Sequence, residues 1–299
     1  MLRAVKGRKI RETRSERIFY GFVIFVMCFV LALTLYPFIY VLSMSLSAPV
    51  YILRQDVWLL PKGFSVEAYA RVLSERGIWL AYWNTAVYTV AGTALNVTLT
   101  AMLAYPLSKR NFWGRNAVSL FVGVTMLFNA GMIPNFLLIN RLGLYNNRLA
   151  MIIPGAISVY NMIIARTFFS GIPESLEESA ALDGANHAVT LARIILPISK
   201  PVLAALTLFY AVAHWNTYFN ALLYLPDLDK QPLQMYLVRL LVQNQRLINE
   251  GGTDALQQAV QAVQSKYATI VVVIAPILCV YPFLQKYFVQ GVMIGAIKE

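Results

Sequence analysis

The sequence predicts an all-α, polytopic membrane protein with six transmembrane helices. Of the 299 residues, 59% are hydrophobic and 13% are charged, whereas soluble domains carry about 25% charged residues. The mean hydropathy is +0.60, so apolar side chains must face lipid as well as a protein core. Six windows free of Asp, Glu, Lys and Arg are as long as a bilayer-crossing helix, or nearly so.

Each charge-free window places one predicted span. The first three spans are predicted near residues 19–43, 84–107 and 117–139, and the last three near 149–169, 201–225 and 267–285. Charge-free windows locate spans because an ionised side chain at the bilayer centre costs about 2.5–3.5 kcal/mol on insertion scales. The fourth window is barely as long as the ~20 residues that a span needs, so Arg166 is expected to reach toward the interface.

The basic residues at the start of the chain predict its orientation. Seven of the 25 lysine and arginine residues lie within the first 17 positions. A basic segment directly before a hydrophobic span sets topology, so residues 1–18 are predicted to be a cytoplasmic segment and residues 19–299 one membrane domain. Six crossings then place both termini and the 172–197 loop in the cytoplasm. The same clustering argues against nucleic-acid binding as the reason for the net charge of +11.

The sequence shows no pattern typical of an enzyme. The histidines are His187 and His214, and the cysteines Cys28 and Cys279 lie in apolar runs. These residues do not make a plausible metal site, so none is predicted. No Gly-x4-Gly-Lys-Ser/Thr phosphate loop occurs. The chain is therefore predicted not to be an enzyme, and any ATP hydrolysis must be done by another polypeptide.

The stretch from Ile172 to Pro197 mixes charged and small residues between two predicted spans. Pro173 suits the first turn of a helix, and the glutamates that follow lie near the positive end of the helix dipole. The small side chains of Ser179 and its neighbours allow another surface to approach closely. Gly184 offers a turn at positive φ. From the residues alone, an ordinary amphipathic connector and a docking element both remain open.

The 172–197 segment resembles the EAA motif of ABC importer permeases. Glu178-Ser179-Ala180, three residues, Gly184, nine residues, and Ile194-x-Leu196-Pro197 follow the spacing of the motif, with Ser179 replacing its first Ala. The resemblance implies a cytoplasmic coupling helix that docks in a groove of an ATPase subunit, with Glu178 as the charged contact, Ser179 and Ala180 as the close-packed face and Gly184 as the turn. The ATPase-coupling residues that it implies are Glu178, Ser179, Ala180, Asp183, Gly184 and Ala185.

Nearly the whole chain from residue 18 onward is similar to the carbohydrate importer permeases of the maltose type. The runs 155–161 (Gly-Ala-Ile-Ser-Val-Tyr-Asn) and 290–295 (Gln-Gly-Val-Met-Ile-Gly) look most like the subgroup named after the LplC and YtcP permeases. The resemblance implies a multi-pass permease of the bacterial plasma (inner) membrane that forms half of a translocation path. It also implies oligosaccharides or polysaccharide fragments as cargo, including acidic ones of the alginate or pectin type.

The partners that the resemblance implies are a second homologous permease, two copies of an ABC ATPase and an extracytoplasmic sugar-binding protein. No cofactor is expected in this chain, because the ATPase would bind ATP and Mg²⁺. The rival class is an ion-coupled secondary transporter. Such proteins place ionisable residues at mid-membrane. Apart from His214 the predicted spans hold none at that depth, since Arg166 is expected to reach toward the interface.

Amides and aromatics at or near membrane depth suggest a sugar path, since such groups hydrogen-bond to sugars and stack on them. The alternative is that these side chains join helices to one another, as polar residues commonly do in membrane bundles. The candidates are Asn129, Asn135, Tyr160, Asn161, His214, Trp215, Asn216, Tyr218 and Asn220.

Overall fold

The computed structural model describes residues 13–128, 130–249 and 261–279. Most of the described residues are helical, and these ranges contain no strand beyond an isolated antiparallel bridge between Ser47 and Phe64. The chain divides into two compact units, residues 1–69 with 251–271 and residues 70–250 with 272–299. The all-α prediction therefore agrees with the described part of the chain.

The first unit is built on α1 (Arg14–Ser45), followed by α2 (Pro49–Leu53). A capping box starts α1: the backbone N–H of Glu16 donates to Oγ1 of Thr13 at 3.3 Å, and the N–H of Thr13 donates to Oε2 of Glu16 at 2.7 Å. These two bonds satisfy donors that a helix end otherwise leaves unpaired. None of the residues in the most apolar window of α1 is buried, so α1 presents its apolar surface outward.

The core of the first unit lies near the C-terminal end of α1. Met44, Ile52 and Val57 are buried there, with Tyr40 and Tyr267 packed against them. Serine hydroxyls fasten the following loop to the helix end, since Oγ of Ser43 donates to the Leu59 carbonyl and Oγ of Ser47 donates to the Ser43 carbonyl. The loop is therefore fixed by side-chain bonds as well as by packing.

The remaining helices follow in chain order. They are α3 (Glu67–Ser74), α4 (Arg76–Ser108), α5 (Arg115–Leu127), α6 (Met132–Arg141), α7 (Val159–Ser170), α8 (Ser175–Leu182), α9 (His187–Thr190), α10 (Leu196–Ile198), α11 (Lys200–Trp215), α12 (Phe219–Tyr224), α13 (Leu233–Asn249) and α14 (Gln261–Cys279).

The second unit is centred on α4, which packs against α7 and α11. Small residues of α4 let the three helices approach closely, as is usual where membrane helices meet; Ala101 and Ala104 are buried at this contact. The apolar core that results also contains Tyr105, Leu107, Met162, Ala165, Phe169, Ile172, Ile195, Val202 and Leu206. Both candidate functional sites described below lie next to this three-helix core.

Three helices of the described ranges are long and apolar enough to cross a membrane: α1, α4 and α14. They coincide with the predicted first, second and sixth spans, although the end of the sixth, 280–285, lies outside the described residues. The number rises to five if each of two bent helix pairs is one span, α5 with α6 and residues 187–198 with α11.

The predicted third, fourth and fifth spans are not straight helices. The third is divided into α5 and α6 around Gly131, which adopts φ +85°. In place of the fourth, α7 follows an irregular stretch that contains Pro154 and Gly155 (φ +71°). The fifth is interrupted after Trp215. Proline removes a backbone donor and glycine permits left-handed turns, which accounts for the first two breaks.

Candidate functional site

The 172–197 segment begins with a short helix, as the sequence predicts. Helix α8 starts at Ser175, two residues beyond Pro173, with Glu174 at its N-cap. Glu177 and Glu178 lie in its first turn, where negative charge interacts favourably with the unpaired backbone N–H groups. The acidic side chains therefore favour helix formation at this point in the chain.

The helix ends in a Schellman motif at Gly184. The N–H of Gly184 donates to the Ala181 carbonyl at 3.0 Å, and the N–H of Ala185 donates to the Ala180 carbonyl at 2.9 Å. Gly184 adopts φ +81°, the left-handed conformation that this motif requires. A Cβ atom at Gly184 would meet nothing within 4 Å. Glycine is thus needed here for its backbone conformation and not for space.

The predicted coupling residues are distributed over different sides of the segment. Glu178, Ser179 and Asp183 are exposed, whereas Ala180 is buried; Ala185 is half-buried. Neighbouring positions on a helix do not face the same way, so Ser179 and Ala180 do not form one outward face. Leu182 is 90% exposed, which places an apolar tip beside the exposed acidic and small residues.

Beyond Gly184 the chain turns back into the core. Asn186 caps α9 by accepting from the Val189 N–H at 2.9 Å. A π-helical turn, Leu191–Ile195, leads through α10 to α11, and the helix axis bends by 86° between 187–198 and α11. Ile195 is fully buried in the α4–α7–α11 core. The segment thus joins an exposed helix to a packed interior within a few residues.

A groove of about 640 Å³ lies beside α8. Its lining comes from the end of α4, the 109–113 loop and the 174–191 stretch. Trp113 in that loop is 93% exposed, and His187 also lines the groove. The exposed tip of α8 and this open groove together make an uncovered surface at one end of the second unit.

A separate cavity of about 250 Å³ lies within the second unit, between α4, the 151–158 stretch, α7, α11 and α12. It brings together three of the residues predicted for a sugar path: Asn161, His214 and Asn220. Its lining is Asn96, Met151, Pro154, Gly155, Ser158, Asn161, Phe209, Tyr210, Ala213, His214, Thr217 and Asn220.

Buried polar contacts define the walls of this cavity. The Asn96 side-chain nitrogen lies 3.1 Å from Nε2 of His214. The hydroxyls of Tyr210 and Thr100 lie 2.7 Å apart, and the Ser158 N–H donates to the Tyr210 hydroxyl at 3.0 Å. Among the described residues, Oδ1 of Asn96 is one of the buried polar atoms without a hydrogen-bond partner, so the polar groups of the wall are not all paired with one another.

Gly92 makes the contact between α4 and His214 possible. A Cβ atom at Gly92 would lie 2.4 Å from Cε1 and Nε2 of the His214 ring, far inside van der Waals contact. The absence of a side chain at Gly92 therefore allows the imidazole to pack directly on the α4 backbone, next to Asn96.

The other predicted path residues lie elsewhere. Tyr160 and Tyr218 are 60% and 44% exposed. Asn216 is exposed, donating to the Val212 carbonyl and accepting from Nε2 of Gln234 at 3.3 Å. The indole nitrogen of Trp215 is buried and, in the part of the chain that the structure describes, has no hydrogen-bond partner. Asn135 is exposed, and Asn129 lies outside the described residues.

Asn96, Ser158 and Tyr210 also line the cavity and were not predicted from the sequence. A signal for Asn96 was present: polar residues recur along α4 at positions 89, 93, 96 and 100, spacings that place them on one helix face. Tyr210 carried no such signal, because a single tyrosine in an apolar helix equally suits a core position.

A second polar network joins α4 to the 227–231 loop. The Asn84 side chain donates to the backbone carbonyls of Asp229 (2.8 Å) and Gln231 (3.2 Å), and Tyr88 donates to the Lys230 carbonyl at 2.7 Å. In the loop, bonds from Lys230 and Asn146 lower the pKa of the Asp227 carboxyl. These contacts fasten the loop to the end of α4 opposite to the 172–197 segment.

The described residues offer no metal centre, since no group of three or more His, Cys, Asp or Glu side chains comes together within them. His187 and His214 lie in different places, one beside α8 and the other in the cavity wall.

Comparison with known proteins identifies the class. Residues 96–294 match the family described as binding-protein-dependent transport system inner membrane component. Protein LplC of Bacillus subtilis (strain 168) is 40% identical over 290 residues, covering 97% of this chain and 98% of LplC. The polygalacturonan/rhamnogalacturonan transport system permease protein YtcP of the same organism is 38% identical over 288 residues, covering 95% of this chain and 98% of YtcP.

A solved structure supports the same class. A chain of a bacterial ABC transporter involved in the import of the acidic polysaccharide alginate superimposes with a TM-score of 0.85. The two chains are 36% identical in sequence, and the match covers 94% of this chain and 100% of the chain in the solved structure. The chain therefore belongs to the family of binding-protein-dependent transport system inner membrane components. The resemblance to importer permeases is confirmed: the chain is a permease subunit of the sugar-importer type, and its family is one of transport permeases and not of enzymes.

Proposed function

We propose that this chain is one of two permease subunits in an ATP-driven importer of acidic oligosaccharides, and that it forms half of the translocation path. A second related permease, two copies of an ABC ATPase and an extracytoplasmic binding protein complete the complex. ATP and Mg²⁺ bind to the ATPase subunits. Support comes from the near full-length likeness to LplC, YtcP and the alginate importer chain.

The proposed topology has six crossings and both termini in the cytoplasm. Helices α1, α4 and α14 each cross once; α5 with α6, the region of α7, and α11 with α12 supply the other three. Breaks such as those at Gly131 and Pro154 are compatible with a membrane position because irregular backbone is tolerated where it is buried in protein or lines a cavity. The 172–197 segment then lies on the cytoplasmic side, in agreement with the basic N-terminus.

The observation that carries the coupling role is the geometry of α8. The helix is ended by Gly184 in a left-handed conformation and displays Glu178, Ser179 and Leu182 outward. Binding of this apolar tip and its neighbouring carboxylate in a groove of a partner protein would remove exposed apolar surface from water. Closure of the ATPase dimer on ATP would push on α8 and switch the permease between outward- and inward-facing states.

The substrate class is proposed from the relatives and from the cavity. YtcP is named for polygalacturonan and rhamnogalacturonan, and the solved importer for alginate; these polymers are acidic. Asn96, Asn161, His214 and Tyr210 in the cavity wall supply donors that a uronic acid carboxylate or hydroxyl can use. The net charge is no part of this argument, because seven basic residues lie in the first 17 positions.

The test is substrate-stimulated ATPase activity of the complete complex in proteoliposomes. Oligogalacturonides and alginate oligomers, presented with the cognate binding protein, should stimulate hydrolysis and be taken up, while neutral arabino-oligosaccharides should not. Stimulation by the neutral sugars alone would reject the substrate class. Uptake that continues in liposomes without the ATPase would reject the ATP-driven mechanism in favour of an ion-coupled transporter.

Glu178→Lys tests the coupling role directly. Reversing the charge at the exposed contact should reduce substrate-stimulated hydrolysis and weaken retention of the ATPase during purification. Glu67→Lys is the matched control, since it makes the same charge reversal at an exposed position of α3. Equal behaviour of the two variants would remove Glu178 from the docking surface.

A further inference from the structure

Glu177 contacts the end of α4 with both carboxylate oxygens. The hydroxyl of Tyr105 donates to its Oε2 at 3.4 Å, and Nζ of Lys109 forms an ion pair with its Oε1. The Lys109 ammonium also lies 5.1 Å from the centroid of the Tyr105 ring, within the range of a cation–π contact. Glu177 of α8, Tyr105 of α4 and Lys109, the residue directly after α4, thus form one cluster, here named the Glu177 cluster.

The Glu177 cluster is sheltered from solvent. The Lys109 and Glu177 side chains are 24% and 18% exposed, and Tyr105 is 6% exposed. Hydrogen bonds between ionised groups are shorter and stronger than neutral ones, and partial burial reduces their screening. This contact is therefore a firmer tether than an ion pair on an open surface.

The two first-turn glutamates of α8 have opposite surroundings. Glu177 shares its face with Ala180, three residues on, and that alanine is buried. Glu178 shares its face with Leu182, four residues on, and that leucine is 90% exposed. One side of α8 therefore contacts the rest of this chain, and the other side is exposed and available to a partner protein.

The far end of the cluster is anchored in the core. Tyr105 belongs to the buried cluster of α4, α7 and α11 that includes Phe169 and Leu206. Close-packed interiors transmit displacement because they have little free volume to absorb it. Further along α4 lie Thr100 and Asn96, which bond to Tyr210 and His214 at the polar cavity.

The backbone offers a less direct connection between α8 and the core. On one side of α8 the chain runs through non-helical residues 171–174, and on the other through the turn at 183–186. Such joints absorb rotation through a few dihedral angles. A side-chain link from the first turn of α8 to α4 bypasses both of them.

We infer that Glu177 is a positioning residue that ties α8 to α4, so that movement of the 172–197 segment is transmitted through Tyr105 and Lys109 to α4 and the cavity. The inference rests on the proposed coupling role of α8. It gives the adjacent glutamates separate tasks: Glu178 meets the partner, and Glu177 passes the displacement inward.

The experiment measures the number of substrate molecules taken up per ATP hydrolysed in proteoliposomes holding the complete importer. Glu177→Gln removes the charge of the cluster and keeps the shape of the side chain. It should lower this ratio at least about fivefold, the change that corresponds to the lower end of typical coupling free energies. The ATPase should stay bound. Glu67→Gln is the matched control: it makes the same substitution at an exposed position of α3, away from the groove beside α8, and should leave the ratio unchanged.

A charge swap separates transmission from simple damage. Lys109→Glu and Glu177→Lys should each impair coupling, and the double variant should recover most of the ratio because the ion pair is restored with reversed polarity. A double variant no better than either single variant would overturn the inference. So would an unchanged ratio in Glu177→Gln, or loss of the ATPase from that variant, since the latter would place Glu177 on the docking surface.

The wild-type complex separates a failure of the proposed function from a failure of the role assigned to Glu177. If it shows no substrate-stimulated hydrolysis, the proposed function fails, whatever Glu177 does. If it is stimulated and Glu178→Lys is impaired while Glu177→Gln is normal, the coupling role of α8 stands and the Glu177 cluster has no part in transmission.

Discussion

The 172–197 segment and the polar cavity use different physical means to build a site. In the segment, an exposed helix is shaped by backbone conformation: Gly184 ends it at positive φ, and nothing packs where a Cβ would lie. In the cavity, buried side chains set the geometry, and Gly92 leaves room for the ring of His214. One region offers a surface, and the other encloses a space.

The difference predicts how each region responds to substitution. Changes at the segment should alter coupling more than stability, because few of its side chains contribute to a core. Changes at the cavity should alter stability first, because its polar groups are buried and mutually bonded, and loss of one partner leaves another unsatisfied. The four predictions below test this contrast, from the largest expected effect to the smallest.

Gly92→Ala should destabilise the protein by about 1–3 kcal/mol, the usual cost of overpacking, because the new methyl group would overlap the His214 ring. The measurement is the thermal unfolding midpoint of the purified complex in detergent. Adding His214→Ala should restore much of the lost stability by making room. Equal midpoints for wild type and Gly92→Ala would mean that the imidazole moves aside freely. The prediction that substitutions at the cavity reduce stability would then be wrong.

Gly184→Val should reduce substrate-stimulated ATPase activity by about tenfold. The left-handed conformation costs an L-residue roughly 1–2 kcal/mol, more for a β-branched one, and a tenfold change corresponds to about 1.4 kcal/mol. Gly184→Asn should lose much less, because asparagine tolerates this conformation. The unfolding midpoint should change little in either variant. A large drop in the midpoint for Gly184→Val would show that the Schellman turn stabilises the fold as a whole.

Tyr210→Phe should destabilise the protein by about 1 kcal/mol. It removes a hydroxyl that bonds to Thr100 and accepts from the Ser158 N–H, both within hydrogen-bond distance. Thermal unfolding provides the measurement, with Tyr160→Phe as control because Tyr160 is exposed. If both variants unfold at the wild-type midpoint, water replaces the Tyr210 hydroxyl without cost and the cavity wall is not fixed by it.

Acidification should weaken the 227–231 loop through Asp227, with the smallest effect of the four. Lys230 and Asn146 lower the pKa of Asp227 below its ordinary value of 3.8. A group with a depressed pKa contributes its stability in full above the ordinary value, and this contribution is lost as the pH falls through the folded-state pKa. Protection of the 227–231 amides against hydrogen exchange, measured relative to their intrinsic rates at each pH, should therefore fall below about pH 4, and Asp227→Asn should remove that pH dependence. An unchanged profile in Asp227→Asn would assign it to another group.

The sequence predicted the 172–197 segment far better than the cavity. The helix and the left-handed glycine follow from local rules, since acidic residues at a helix start and glycine after its end act within a few positions. Of the residues named for a sugar path, Asn161, His214 and Asn220 line the cavity, whereas Tyr160, Asn216 and Tyr218 are exposed. A polar residue in an apolar helix does not show which neighbour it will meet.

The spans show the same limit. Charge-free windows located α1, α4 and α14, because exclusion of charge from hydrocarbon depends on composition alone. The breaks near Gly131 and Pro154 carried sequence signals, but glycine and proline also occur within continuous membrane helices. Whether such a residue divides a span depends on what surrounds it.

Composition and charge-free windows by themselves determined the all-α membrane character of this protein, and the spacing of residues 172–197 determined its resemblance to a coupling motif, because these depend on solvent exclusion and on contacts a few residues apart. Only the tertiary structure decided that Glu177 bonds to Tyr105 and Lys109 while Glu178 stays exposed. It also decided that the Asn96 side chain contacts the ring of His214, which packs on Gly92. These pairs lie far apart along the chain, and their contacts depend on how α4, α7, α8 and α11 pack.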